Sequence, residues 1–346
     1  MATRLAINGF GRIGRCVLRS LFERQLHCGF QNNELHIVAI NELADCNTIA
    51  HLLKYDTTHG RFSGRVAARN DCLTIDDYNI QLLHSKAIEA LPWQTLDVDI
   101  VLECTGSYAD RRSAEQHLYQ GARKVLFSQP GLSAEDVDAT IVYGFNHQSL
   151  TGAEKIISNA SCSTNCIVPI IVALDECFGV ETGVLTTIHS AMNDQPVIDA
   201  YHHTDLRKTR SALQSIIPIE TGLAQGIDRL LPQFTGCFEA QAMRVPTINV
   251  SAIDLSVYVK KATDIDTVNN CLRKAAAEQF NGVLAFSEEL LASCDFNHDP
   301  HSGIVDAGQT RVAGKHLIKV LTWFDNEWGY ANRMLDVAKE IAIREK

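Results

Sequence analysis

Thr3-Arg4-Leu5-Ala6-Ile7-Asn8-Gly9-Phe10-Gly11-Arg12-Ile13-Gly14 decides the fold of the first half of the chain. Residues 3–8 read as a short buried strand. Residues 12–24 read as a helix with Ile13, Val17, Leu21 and Phe22 on one face. Between them, Gly9, Gly11 and Gly14 fit G-x-G-x-x-G. The first glycine permits a tight turn, the second lets the backbone approach a pyrophosphate, and the third lets the helix pack on the sheet. The helix N-terminus offers unpaired N–H groups to an anion. An acid should end the next strand to take the adenosine ribose hydroxyls. Glu42 stands there, directly after residues 35–41 and 28 residues beyond Gly14, against about 20 in the common pattern. The polar insertion at residues 31–34 absorbs the excess. A carboxylate at this point repels a 2′-phosphate, so NAD is expected rather than NADP. The competing reading, a glycine-rich structural turn and a surface glutamate, fits the order strand, turn, helix, strand, acid less well.

Beyond Glu42 the alternation continues. Residues 44–54, 110–120 and 162–178 have helical character. Residues 71–83 (with a turn at Asp76-Asp77), 98–105, 124–127, 139–143 and 155–158 have strand character. Such alternation predicts an α/β domain with a Rossmann-type, doubly wound parallel sheet. After residue 160 the pattern changes. Strand-like segments at 183–189, 240–245, 248–260 and 317–324, with a helix at 267–279, predict an α+β domain built on a large, mostly antiparallel sheet. Residues 327–344 form an amphipathic helix with Trp328, Ala331, Leu335, Ala338 and Ala342 on one stripe. The expected domains are 1–160, completed by the C-terminal helix 327–346, and 161–326.

Composition agrees with this layout. A chain of 346 residues suits two domains at about 100–200 residues each. With 21% charged residues and a mean hydropathy of −0.04, it reads as an ordinary globular chain rather than a disordered or coiled-coil one. The longest apolar stretches, such as residues 166–174, fall short of the ~20 residues that cross a bilayer. No signal-peptide pattern follows the N-terminal residues. Forty-one acidic against 31 basic residues argue against nucleic acid as a partner. Eleven cysteines without a CxxC pattern suit neither a disulfide framework nor a zinc site. They are expected to be small packing residues in a reducing cytoplasm, with one or two chemically special.

Ser158–Cys166 is the second dense signal. Ser161 is placed to cap the helix that follows, which puts Cys162 in its first turn, where the helix dipole lowers a thiol pKa and free N–H groups can receive an oxyanion. Cys166, one turn on, is read as packing. A thiolate needs a base or ion-pair partner. Of 13 histidines, His189 is preferred because it ends an apolar strand that would aim it into a cleft. His202-His203 and His298–His301 are read as solvated loop histidines, and no metal site is expected.

Residues 7–15 and 158–166, with Arg244-Val245-Pro246-Thr247 and residues 325–330, resemble the signatures of the glyceraldehyde-3-phosphate dehydrogenase superfamily nearly end to end. Residues 40–62, 188–202 and 295–301 are most similar to the bacterial D-erythrose-4-phosphate dehydrogenases within it. The resemblance implies Cys162 as nucleophile and His189 as its partner. It implies Gly9, Gly11, Arg12, Ile13, Gly14, Glu42, Lys86 and Ser128 around NAD, with Asn326 at the nicotinamide amide. It assigns Ser161, Ser163, Thr221 and Gly222 to one anion site, and Arg210 and Arg244, with Arg207 close by, to substrate phosphate. Guanidinium forks suit phosphate oxygens. Where glyceraldehyde-3-phosphate enzymes carry two threonines after the catalytic histidine, this chain has Met192 and Asp194. A thioether donates no hydrogen bond and a carboxylate repels phosphate, so the phosphate clasp is altered.

The resemblance thus implies NAD-dependent oxidation of erythrose 4-phosphate to 4-phosphoerythronate through a cysteine thioester released by water, in vitamin B6 synthesis, by a cytoplasmic homotetramer. The alternatives are a phosphorylating glyceraldehyde-3-phosphate dehydrogenase of glycolysis and, more remotely, a non-catalytic dinucleotide-binding regulator.

Overall fold

In the computed structural model, which describes residues 2–28, 35–202 and 205–345, the chain divides into two units, Met1–Ala160 with Tyr330–Lys346, and Ser161–Gly329. The insertion invoked for residues 31–34, and His203, lie outside the described residues.

The first unit opens with β1 (Thr3–Asn8), α1 (Arg12–Cys28), β2 (Leu35–Asn41), α2 (Cys46–Lys54) and a small hairpin of β3 (Tyr55–Asp56) and β4 (Gly60–Arg61). It continues with β5 (Val66–Arg69), β6 (Cys72–Ile75), β7 (Tyr78–Leu83), β8 (Ile100–Glu103), α3 (Arg111–Tyr119), β9 (Lys124–Phe127), β10 (Ala139–Thr140) and β11 (Ile156–Ser158). One sheet has the order β10-β11-β9-β8-β1-β2-β7-β6-β5. It is parallel from β10 to β7, and β6 and β5 extend it as antiparallel edge strands. Strands β8 and β9 are buried at every residue, as covering both faces of a parallel sheet demands. Helix starts follow side-chain caps: Asp45 and Asp110 accept from the first-turn amides of α2 and α3.

The sheet order reverses at β1, which pairs with β2 on one side and β8 on the other. Open α/β sheets bind ligands beyond such a point. A buried polar network ties the strand ends together there. Asn41 donates to Asn8 at 2.7 Å, Asn8 donates to Glu103 at 2.6 Å, and His117 contacts Glu103 at 3.2 Å with Trp93 Nε1 donating to its other ring nitrogen. Asn8, Asn41, Glu103, His117 and Trp93 each find a partner within this network, which holds the strand ends in one arrangement.

The second unit contains α4 (Cys162–Phe178), β12 (Val180–His189), β13 (Ile217–Ile219), α5 (Leu223–Leu230), β14 (Phe238–Arg244), β15 (Ser251–Val259), α6 (Ile265–Ala277), β16 (Leu284–Ser287), β17 (Gly303–Ala313) and β18 (Leu317–Phe324). Its sheet has the order β13-β14-β12-β15-β18-β17-β16, with only β12–β14 and β16–β17 parallel. The final helix α7 (Trp328–Arg344) starts at this unit, its first amides capped by Asp325. From Tyr330 onward it belongs to the first. There Tyr330 donates to the Ala160 carbonyl at 2.8 Å and Arg24 pairs with Asp336 at 2.7 Å. All five residues of the expected apolar stripe are buried.

Three expectations change. The strand expected over 139–143 shortens to Ala139–Thr140, because Val142 leaves the sheet to bond the Asn146 side chain. Strand β15 starts at Ser251 rather than 248, since Val250 has a φ of 64° that no strand accommodates. The cysteines are not all free: Cys177, in the last turn of α4, is disulfide-bonded to Cys271 of α6. The two lie 94 residues apart, so only the packing of α6 on α4 reveals the pair. Among the described residues, no helix is long and apolar enough to cross a membrane.

Candidate active site

Beyond the ends of β1, β2 and β8 the first unit holds a cavity of about 460 Å³ whose lining includes Gly9, Gly11, Glu42, Lys86, Thr105 and Tyr108. Gly9 has a φ of 91°, and a Cβ there would lie 2.6 Å from the Thr105 nitrogen, so the turn excludes other residues. A Cβ on Gly14 would collide with the Gly9 carbonyl oxygen. At Gly11 no protein atom lies within 4 Å of where a Cβ would stand. The space a side chain would fill there opens on the cavity, as a ligand approaching the backbone requires. Glu42 directly follows β2 and lines the same cavity. Its carboxylate accepts from the Phe10 amide at 2.9 Å and from the Leu43 amide at 2.7 Å. These residues fit an adenosine dinucleotide.

The remaining candidates of this unit sit differently. Arg12 makes a bidentate pair with Asp56. Burial alone would raise the Asp56 carboxyl, but the Arg12 guanidinium and the His59 and Thr58 amides outweigh it and hold the pKa at about 2. Ile13 is half-buried beside Arg12 in the first turn of α1. Ser128 follows β9, with its amide on the Glu103 carbonyl.

In the second unit, Ser161 caps α4 by accepting from the Thr164 amide at 3.0 Å, which places Cys162 at the first helical position. Cys162 Sγ lies 3.9 Å from His189 Nε2, at the end of β12. His189 Nδ1 is 2.8 Å from the Ser190 carbonyl, an acceptor only. Nδ1 therefore carries the proton and Nε2 turns a lone pair toward the thiol. Burial lowers the His189 pKa to about 4, and the Ser190 carbonyl raises it only in part. Burial opposes the depression of the Cys162 pKa expected from the helix N-terminus. Burial pushes the thiol up, and the Ser163 hydroxyl and Arg244 charge only partly offset that. The His189 imidazole is thus neutral near pH 7, and burial opposes thiolate formation at Cys162.

Parallel pairing of β12 and β14 sets His189 opposite Arg244. Arg244 is 7% exposed, and its Nε has no hydrogen-bond partner. One guanidinium nitrogen contacts Asp194 and Gln195, each at 3.2 Å. These two come from a tight turn in which Gln195 bonds back to Met192. Lys208 reaches the same Asp194 carboxylate at 2.9 Å. Burial alone would raise the Asp194 carboxyl, but Lys208 and Arg244 prevail and hold it below the usual range. Arg210 is exposed and paired to Asp199 at 2.9 Å, and Arg207 is exposed in the short helical turn Leu206–Thr209. The structure thus gathers Arg244 with Lys208 and Gln195, which the sequence reading did not single out.

Ser163 lies 4.0 Å from Cys162. Thr221 and Gly222 lead into α5, whose Gly226 approaches α4 so closely that a Cβ would lie 3.1 Å from Thr164 Oγ1. Asn326 Oδ1 accepts from Ser190 and Ser251 at 3.0 and 2.7 Å, which turns its amide Nδ2 outward as a donor. Ser190 and Ser251 are further positioning residues, and nothing in their spacing marks them. His298, expected to be solvated, stacks on Trp328 with ring centres 3.6 Å apart.

Residues 3–111 match the family model described as glyceraldehyde 3-phosphate dehydrogenase, NAD binding domain, and residues 161–326 match that described as glyceraldehyde 3-phosphate dehydrogenase, C-terminal domain.

Proposed function

The chain belongs to the glyceraldehyde-3-phosphate dehydrogenase superfamily, whose members are NAD-dependent dehydrogenases of phosphorylated aldehydes, and on that premise we propose that its own substrate is D-erythrose 4-phosphate. The observation that carries this reading is the turn at 192–195. It lays the Asp194 carboxylate on Arg244, where the glycolytic enzymes present threonine hydroxyls. A phosphate drawn to Arg244 meets a carboxylate on one side of the guanidinium. A phosphate held off that position suits a substrate one carbon longer.

NAD is the cofactor, and when bound it supplies the hydride acceptor. The first unit's glycine turn, Glu42 and Lys86 would hold its adenosine diphosphate portion, and Asn326 Nδ2 its carboxamide. In the proposed chemistry the Cys162 sulfur attacks the aldehyde carbon as His189 Nε2 takes the thiol proton. The resulting oxyanion is held by the Cys162 N–H and the protonated His189, which returns its proton to give a hemithioacetal. His189 then accepts the hydroxyl proton as the carbon is oxidised, leaving a thioester on Cys162. Once that proton has passed to solvent, the neutral imidazole activates water, which attacks the thioester carbon and releases 4-phosphoerythronate as the sulfur regains a proton as the free thiol. Ser163, Thr221 and Gly222 could instead seat inorganic phosphate, which is why the glycolytic reaction stands as the second reading.

Following NADH with erythrose 4-phosphate and glyceraldehyde 3-phosphate, each with and without inorganic phosphate, tests the proposal. Phosphate-independent turnover of the four-carbon aldehyde is the expected result. A phosphate-dependent preference for the three-carbon aldehyde would overturn it, and cofactor binding without turnover of either would favour a regulator. A mechanism run through a free thiol suits the cytoplasm, the product suits pyridoxal phosphate synthesis, and family membership favours a homotetramer.

A further inference from the structure

Cys46, Asp71 and His84 are distant in sequence and converge at one corner of the first unit. Cys46 opens α2, Asp71 sits in the turn between β5 and β6, and His84 follows β7. Cys46 Sγ lies 3.4 Å from Asp71 Oδ1 and 3.8 Å from His84 Nε2, and Nε2 lies 3.6 Å from Oδ1. Around a tetrahedral zinc ion, bonds of about 2.3 Å to sulfur and about 2.0–2.1 Å to nitrogen or oxygen put ligand atoms roughly 3.3–3.6 Å apart. The three atoms therefore already form one face of such a tetrahedron.

A second observation concerns the imidazole. His84 Nδ1 is 2.8 Å from the Glu42 carbonyl oxygen, which only accepts. Nδ1 therefore carries the proton, and Nε2 turns its lone pair into the triangle. Backbone carbonyls orient metal-binding histidines in this way. Nε2 and the carboxylate are too far apart at 3.6 Å to hydrogen-bond. Three electron-pair donors thus converge with a single thiol proton among them, an arrangement that a cation satisfies. The Asp71 side chain is 70% exposed and that of His84 32%, so an ion has a path in and water can complete the shell.

We propose that Cys46, Asp71 and His84 are the three protein ligands of a zinc-class divalent cation, next to Glu42, whose carbonyl holds the His84 ring. Thiolate, imidazole and carboxylate together select a borderline ion over magnesium or calcium.

Cobalt(II) titration of the full chain carrying Cys162→Ser, which removes the catalytic thiol as a competing ligand, tests the site. One equivalent is expected to produce a thiolate-to-cobalt charge-transfer band with tetrahedral visible absorption, and zinc should displace it. Cys46→Ser should abolish the band, and His84→Ala and Asp71→Asn should each weaken binding by about tenfold or more. Far-ultraviolet circular dichroism verifies that each variant is folded. A folded Cys46→Ser variant that keeps the band, or a parent that binds neither cobalt nor zinc, would overturn the proposal.

Discussion

Asp194 sets one carboxylate oxygen 3.2 Å from the Arg244 guanidinium and the other 2.9 Å from the Lys208 ammonium. The arginine that the family assigns to substrate phosphate is thus already engaged by an anion of the protein. Replacing Met192 and Asp194 together by threonine removes that anion and restores two hydroxyl donors. The ratio of kcat/KM for erythrose 4-phosphate to that for glyceraldehyde 3-phosphate should fall by about tenfold or more, roughly 1.4 kcal/mol of discrimination. Steady-state kinetics with both aldehydes decides it. An unchanged ratio would detach the 192–195 turn from substrate choice.

Cys162→Ala should abolish NADH formation, and His189→Asn should lower kcat by about 10²–10⁴, the range for a lost general base. Neither should change NAD binding in the first unit. With its pKa lowered to about 4, His189 stays neutral through the acid range where an ordinary histidine gains a proton. The acid limb of kcat/KM, which reports the free enzyme, should fall below the usual 6.5. Stability follows the same linkage. Between about pH 4 and 6.5 the unfolded chain holds a proton on this residue that the folded one lacks, so stability should rise with pH there. His189→Asn should flatten that rise in urea titrations at pH 4.5, 5.5 and 6.5.

Asp56 provides the opposite case. Its folded pKa of about 2 is depressed below the unfolded value of about 3.8, so its contribution is complete above pH 4 and disappears as pH falls toward 2. Arg12→Gln removes the guanidinium that holds the carboxyl down. Acid unfolding followed by circular dichroism should then begin at higher pH than in the parent chain.

How much of this was legible depended on whether the chemistry is local in the chain. The glycine turn, Glu42 after β2 and Cys162 after its cap are adjacent in sequence to the elements that position them, and their placement follows from period and capping alone. His189 was legible as the end of an apolar strand. The neighbour of His189 was not: Arg244 stands beside it only because β14 pairs in parallel with β12, a register no spacing encodes. Strand β17 escaped because its apolar start, Gly303–Val305, runs into a bulge between Asp306 and Arg311 that interrupts the alternation. The lowered thiol pKa drawn from the helix N-terminus is opposed for a related reason. The helix end is local, whereas the burial that outweighs it is tertiary.

The Cys177–Cys271 disulfide closes a loop of 94 residues and joins α4 to α6. Cys177 lies at the opposite end of α4 from Cys162, so its role is expected in stability rather than turnover. Reduction, or Cys177→Ser, should destabilise the chain by about 2–4 kcal/mol in urea unfolding while kcat holds. Intact mass before and after alkylation under denaturing conditions would show whether the bond is formed. A thiol count that includes both cysteines in the native protein would refute it.

Ser251 offers a test of how the nicotinamide end is built. Its buried hydroxyl accepts from the Ser190 amide at 3.1 Å and donates to Asn326 Oδ1 at 2.7 Å. Two serine donors on one oxygen fix which way the Asn326 amide faces, because a flipped amide would set N–H groups against hydroxyl donors. Ser251→Ala removes one donor and strips the Ser190 amide of its acceptor, at a cost of about 1–3 kcal/mol for the group left unpaired. With the Asn326 amide free to turn, KM for NAD should rise several-fold. Iodoacetamide should modify Cys162 at the parent rate, since the α4 N-terminus and His189 are untouched. Ser251→Thr keeps the hydroxyl and should restore KM. A raised KM in both variants would point to lost packing, and an unchanged KM in Ser251→Ala would remove Asn326 from the cofactor site.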